Sequence, residues 1–259
     1  MRDKQPILAV LGVLVLVVGF VWLANVITAP KPITPDASAT ATPSDDPSAT
    51  ASSTATPTPT PTPTPSALAG CTKVPPIPTT QQRMSTAPDV EAARGKTFVA
   101  TITTNCGVIT VELDGTKAPG AVASFVMLAR ANYWNDTTCH RLTTQGIFVL
   151  QCGDPTGTGG GPGPGYHFGV ENAPADGNYP AGTLAMARAS DPNSNGDQFF
   201  IVHGDTKLPV ETGGYTIFGK VTAGLDLVKK IAAAGSYPEG DGAPLGAISI
   251  LSVSVQPKA

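Results

Sequence analysis

The sequence predicts a mainly β domain, a closed antiparallel barrel with helices over its open ends, and three observations predict it. Short β-rich runs recur from residue 98 onward, separated by glycine-rich connections. Only two stretches in that region carry a helical period. Thirteen of the 15 aromatic residues lie from Phe98 onward and none lies between Trp22 and Phe98, so only the C-terminal part of the 259-residue chain can build a core.

The elements follow in chain order. Residues 1–6 carry Arg2 and Lys4, and residues 7–27 run from Ile7 to Ile27 without a charge. At about 1.5 Å per residue such a run spans roughly 30 Å, the thickness of a hydrocarbon core, and predicts a transmembrane helix. A cleaved signal peptide is the alternative. The basic residues precede the span, which keeps the N-terminus cytoplasmic and places the rest outside, in a single-pass arrangement at the cell membrane. Residues 28–84 are rich in Thr, Pro and Ser, and 13 of the 26 prolines fall between Pro30 and Pro78. This composition predicts a disordered, extended linker. Leu68-Ala69-Gly70-Cys71 imitates a lipoprotein box, but it lies far from the apolar span and is not read as one.

Residues 85–259 form the expected domain. Phe98–Thr104 and Val108–Leu113 alternate and are joined by Asn105-Cys106-Gly107, a hairpin pattern. Pro119 opens a helix with Val122, Phe125, Val126 and Ala129 on one face. Strands are expected at Phe148–Gln151, Thr183–Ala187, Gln198–Val202, Thr216–Val221 and Ile248–Val255. The apolar phase slips between Ile250 and Leu251, which predicts a bulge. A second helix runs from Leu225 to Ala234, with Gly235 to end it.

Several function classes drop out. A net charge of -3 leaves no basic excess for a phosphate backbone, so nucleic acid is not an expected partner. Gly157–Gly165 lacks a dinucleotide fingerprint because Pro162 and Pro164 obstruct the helix that must follow. Gly214–Lys220 has phosphate-loop spacing, but Val221 stands where Ser or Thr is required. His140, His167 and His203 share no ligand spacing, so no metal is expected.

Three segments carry a resemblance: Cys139-His140-Arg141 leading to Phe148-Val149-Leu150-Gln151-Cys152-Gly153-Asp154, then Leu184-Ala185-Met186-Ala187, then Asn195-Gly196-Asp197-Gln198-Phe199-Phe200-Ile201, with Phe218-Gly219-Lys220-Val221 following. Their order and spacing resemble the cyclophilins, a family of peptidyl-prolyl cis-trans isomerases, and the anchor-spacer-domain arrangement resembles membrane-anchored bacterial members. The resemblance implies an eight-stranded antiparallel barrel capped by two helices, with no cofactor.

It also implies roles. Arg141 is the donor aimed at the imide nitrogen of an X-Pro bond as it twists, Gln151 lies near the substrate backbone, and His140 stands beside the arginine. Phe148, Val149, Phe200 and Leu208 correspond to the apolar wall for the proline ring, and Ala187, Arg188, Ala189, Gln198 and Tyr215 to its surroundings. Departures are Leu208 where tryptophan is frequent, Tyr215 where histidine is common, and Arg188 where asparagine is; these imply weak cyclosporin binding. The loop from Leu142 to Ile147 is two residues longer than in the family's best-known members.

Cys71, Cys106, Cys139 and Cys152 allow three pairings. Cys139 and Cys152 flank the hairpin that carries Arg141 and Gln151, which favours their pairing and leaves Cys71 with Cys106; buried free thiols are the alternative. The expected function is isomerisation of X-Pro bonds in unfolded or exported chains outside the cytoplasmic membrane, assisting folding, by a monomer. A non-catalytic proline-peptide binding module, or a chaperone of the cell envelope, is the alternative.

Overall fold

The computed structural model describes residues 64–259. The expected span 7–27 and the linker as far as residue 63 lie outside the described residues. Among the described residues no helix is long and apolar enough to cross a membrane.

Strand β1 (Thr97–Thr104) turns into β2 (Gly107–Asp114) with every residue paired in register, from Thr97 opposite Asp114 to Thr104 opposite Gly107. Alternation does what it predicts: Phe98, Ala100 and Ile102 of β1 and Ile109, Val111 and Leu113 of β2 are buried. Helix α1 (Pro119–Arg130) follows, with Pro119 in its first turn. It buries more than the expected stripe, because Gly120, Ala121, Ala123 and Ser124 are small enough to face packed neighbours as well. Its first turn has no local cap. The Glu171 carboxylate instead accepts from the Gly120 and Ala121 amides, both at 3.0 Å, and a carboxylate suits the positive end of a helix.

The remaining elements are β3 (Thr137–Thr138), β4 (Arg141–Thr143), β5 (Val149–Cys152), β6 (Asn178–Tyr179), β7 (Thr183–Met186), β8 (Phe199–Val202), β9 (Thr206–Lys207), β10 (Ile217–Ala223), α2 (Leu225–Ala233), β11 (Ser236–Tyr237), β12 (Asp241–Pro244) and β13 (Ser249–Pro257). Thr103 of β1 pairs with Ser252 and Thr104 with Ile250, so Leu251 is the extra residue of the expected bulge.

The closed barrel of eight strands is not what forms. Eleven strands join one sheet in the order β11-β12-β4-β5-β8-β7-β10-β2-β1-β13-β3, which leaves β11 and β3 as edges, while β6 and β9 pair separately. The reason is strand length. β3 has two residues and pairs only with β13, whereas β4 gives its second edge to β12. Covalent chain at Cys139-His140, not a hydrogen-bonded ladder, connects the two regions. Two-residue strands also show no alternation to read.

The core gathers on one face of the sheet around aromatic rings. Phe125 of α1 lies 4.7 Å from Trp134 and 5.6 Å from both Phe199 and Phe218, centroid to centroid. A second, smaller apolar cluster, which includes Val149, Phe200 and Leu208, lies apart from it. β8 thus sends Phe199 and Ile201 to one cluster and Phe200 and Val202 to the other, which is why all four of its residues are buried.

The packed chain begins upstream of the boundary expected at residue 85. Ser66 bridges to Gly246, and Leu68 packs against the core. Cys71 is bonded to Cys106, the residue next to Asn105, whose side-chain amide donates to the Thr72 and Ala247 carbonyls. A disulfide and buried backbone partners hold this stretch despite its prolines. Replacing both Cys71 and Cys106 with serine is therefore expected to lower unfolding stability by about 3 kcal/mol, since the bond closes a long loop in the unfolded chain. Urea unfolding of the full chain measures it, and an unchanged midpoint would show the strap to be incidental.

Candidate active site

Register places two neighbouring rows of side chains across the sheet. Leu142, Leu150, Ile201 and Leu184 stand opposite one another on β4, β5, β8 and β7 and are buried in the core. One step along each strand, Arg141, Gln151, Phe200 and Ala185 form the next row, which must face the other way. A cavity of about 430 Å³ opens over that second row.

Arg141, Gln151 and His140 line the cavity with polar groups, and Val149, Phe200 and Leu208 supply apolar lining. Ala187, Arg188 and Tyr215 bound it elsewhere. Ala189 and Gln198 line a second cavity of about 340 Å³, which shares Gln151, Gly159, Ala187 and Arg188 with the first. Phe148 directly precedes β5, and its ring meets His203 at 5.9 Å, while its neighbours Ile147 and Val149 line the cavity.

Polar groups are linked in a chain. Arg141 donates through Nη1 to Gln151 Oε1 at 3.2 Å, Gln151 Nε2 donates to Gln198 Oε1 at 2.9 Å, and Gln198 Nε2 donates to the Gly159 carbonyl at 3.0 Å. On its other side Arg141 donates to both carboxylate oxygens of Asp241, Nε at 2.7 Å and Nη2 at 2.8 Å. That bond raises the arginine's pKa and is the main cause holding the Asp241 carboxyl below its usual range. The sequence reading missed Asp241. It lies on a four-residue strand, Asp-Gly-Ala-Pro, with no alternation to mark it.

The second arginine is engaged differently. Arg188 donates Nε to Gly214 O, Nη1 to Ala189 O and Ser190 O, and Nη2 to Thr212 O and Oγ1, which uses all five of its donors. Its guanidinium also lies 4.8 Å over the Tyr215 ring, which packs edge-on against Phe200. Arg188 ties loops together; it has no N–H to spare.

Burial lowers the His140 pKa, and neither ring nitrogen has a partner among the described residues. The ring packs on Gly159, where a φ of +79 and the 2.9 Å at which an added Cβ would meet the His140 ring disfavour a side chain. Asp154 shapes that loop. Burial pushes its carboxyl up, but hydrogen bonds from Thr156, Gly159 and Gly161 outweigh this and hold it below the usual range. Among the described residues no group of three His, Cys, Asp or Glu could hold a metal ion. A disulfide joins Cys139 to Cys152, which flank Arg141 and Gln151, and all four cysteines are paired.

Beneath the second cavity, burial pushes the Asp197 carboxyl up from 3.8 to about 6, although Tyr133 donates to it at 2.7 Å. The folded domain therefore keeps a proton that the unfolded chain releases. This contribution is complete below about pH 4 and is lost as pH rises through about 6, so stability falls across that window. Asp197→Asn is expected to flatten the fall, which is at most about 3 kcal/mol. Urea midpoints at pH 4, 5, 6 and 7 test it; an unaltered slope would contradict the assignment.

The family model described as cyclophilin type peptidyl-prolyl cis-trans isomerase/CLD matches residues 99–255. A Mycobacterium tuberculosis protein described as probable peptidyl-prolyl cis-trans isomerase B is 46% identical over 166 residues, which cover 58% of this chain and 52% of that protein. The chain thus spans about half the length of that relative. A Helicobacter pylori peptidyl-prolyl cis-trans isomerase is 41% identical over 143 residues, covering 54% of this chain and 84% of that protein. A Cryptosporidium parvum cyclophilin-type isomerase, solved in the presence of the dipeptide Ala-Pro, superposes with a TM-score of 0.52 at 34% identity, over 62% of this chain and 99% of that one.

Proposed function

The chain belongs to the cyclophilin-type peptidyl-prolyl cis-trans isomerase family, and on that premise we propose that its folded domain accelerates rotation about X-Pro bonds in unfolded or exported polypeptides outside the cytoplasmic membrane. The observation that carries this reading is the row Arg141–Gln151–Phe200, which sets a cationic donor two strands from an apolar floor in one cavity. The relative solved in the presence of Ala-Pro supports a proline-containing ligand.

Rotation is slow because amide resonance gives the C–N bond double-bond character and a barrier of about 18 to 20 kcal/mol. Twisting breaks that resonance and returns a lone pair to the imide nitrogen. A donor aimed at this nitrogen binds the twisted state better than either planar isomer, which is what lowers a barrier. Val149, Phe200 and Leu208 hold the proline ring. Arg141, charged at any ordinary pH, supplies the donor. Gln151, fixed between Arg141 and Gln198, meets the substrate backbone.

The domain acts outside the membrane on the strength of the uncharged run 7–27, and the pairing of all four cysteines supports an oxidising compartment. Adding the full chain to the refolding of a protein limited by proline isomerisation is expected to speed the slow phase in proportion to its concentration. A slow phase that stays unchanged would contradict the folding role.

A further inference from the structure

Two arginines line the cavity, and they differ in what they have left to give. Arg188 has all five N–H groups engaged. Arg141 spends two on the Asp241 carboxylate and one on Gln151, so of its five donors two remain, one on each terminal nitrogen.

A guanidinium sits on a long flexible stem, and its donors are useful only if its plane is fixed. The bond to Gln151, at 3.2 Å, constrains one nitrogen. The paired bonds of 2.7 and 2.8 Å to Asp241 grip a whole edge of the fork. Asp241 is itself held: β12 pairs with β4 through Asp241 opposite Thr143 and Gly242 opposite Leu142. A Cβ on Gly242 would come within 2.3 Å of the Tyr237 carbonyl, so the hairpin that presents Asp241 closes only on glycine. The pair is half-exposed, 38% for the Arg141 side chain and 57% for Asp241. An ion pair so exposed contributes little to stability. What it supplies is geometry.

We infer that Asp241 is a positioning residue for the isomerisation, fixing the plane of the Arg141 guanidinium so that its two remaining N–H groups are presented to the cavity. The inference rests on the proposed X-Pro isomerase activity, and it adds a residue that acts through Arg141 without touching the substrate. A carboxylate beside an arginine could instead damp its charge, in which case removing Asp241 would speed the reaction.

The test uses the full chain and an X-Pro peptide, with kcat and KM determined separately for wild type, Asp241→Ala, Asp241→Glu, Arg141→Ala and the double variant. Asp241→Ala is expected to lower kcat about tenfold, with KM changed less than about twofold and an unaltered unfolding midpoint. Asp241→Glu keeps the carboxylate and recovers part of the loss. Asp241→Ala placed on Arg141→Ala should cost nothing further, because a residue that acts only through the arginine has nothing left to position. Wild-type rates in Asp241→Ala, faster rates, or an additional loss in the double variant would each overturn the inference. Inactive wild-type protein would instead overturn the isomerase reading, so the two failures are distinguishable.

Discussion

Arg141→Ala is expected to lower kcat for X-Pro isomerisation by about 100-fold or more, the loss typical of removing one donor aimed at charge that appears only in the transition state. The effect falls on kcat because the planar isomers have no localised lone pair for the guanidinium to meet. KM changes little, since Val149, Phe200 and Leu208, which hold the ring, remain in the cavity lining. Arg141→Lys recovers only a small part: lysine keeps the charge but not the fork that Asp241 and Gln151 grip together. A protease-coupled assay that cleaves only the trans isomer measures all three proteins. Equal rates would remove Arg141 from the mechanism.

Trp134→Ala has the largest expected effect on stability, roughly 4 to 5 kcal/mol. Trp134 is 1% exposed and packs on Phe125, Tyr133 and Phe199, so truncation leaves a cavity at the centre of the aromatic cluster. Its indole N–H also donates to the Gly153 carbonyl at 3.1 Å, and losing that partner costs about a further 1 kcal/mol. Gly153 follows Cys152 directly after β5, so the same substitution loosens the strand that carries Gln151. Trp134→Phe refills most of the volume without the donor and is expected to cost about half as much. Urea denaturation resolves the two, and an alanine variant within about 1 kcal/mol of wild type would contradict the packing account.

What the sequence disclosed follows from periodicity and its failures. β1 and β2 were legible because one side of the hairpin is core and the other partly exposed, which leaves a clean alternation from Phe98 to Leu113. The Leu251 bulge was legible as a slip of that same period. In β8 hydropathy alternation vanishes into four apolar residues, since Phe199 and Phe200 serve different clusters; the period of 2 puts Gln198 and Phe200 on one face and Phe199 on the other, but which face is the cavity comes from the family pattern. Ile147 gives no periodic signal, because it lines the cavity from the bend before β5 and not from the strand. Asp241 and the Glu171 cap left no local signal, because each acts on a partner 100 or about 50 residues away. The strap before residue 85 was concealed by its prolines, although Cys71 already tied it to Cys106.

The central claim is that this cavity turns an X-Pro bond and does not merely hold one. Exchange NMR on a single X-Pro peptide with a catalytic amount of the full chain tests it directly. The account predicts exchange cross-peaks between the cis and trans resonances at mixing times far too short for uncatalysed isomerisation, which takes tens of seconds or more. Resonances that shift or broaden on binding while cis and trans remain unconnected would contradict it, and would leave a proline-peptide binding module in its place.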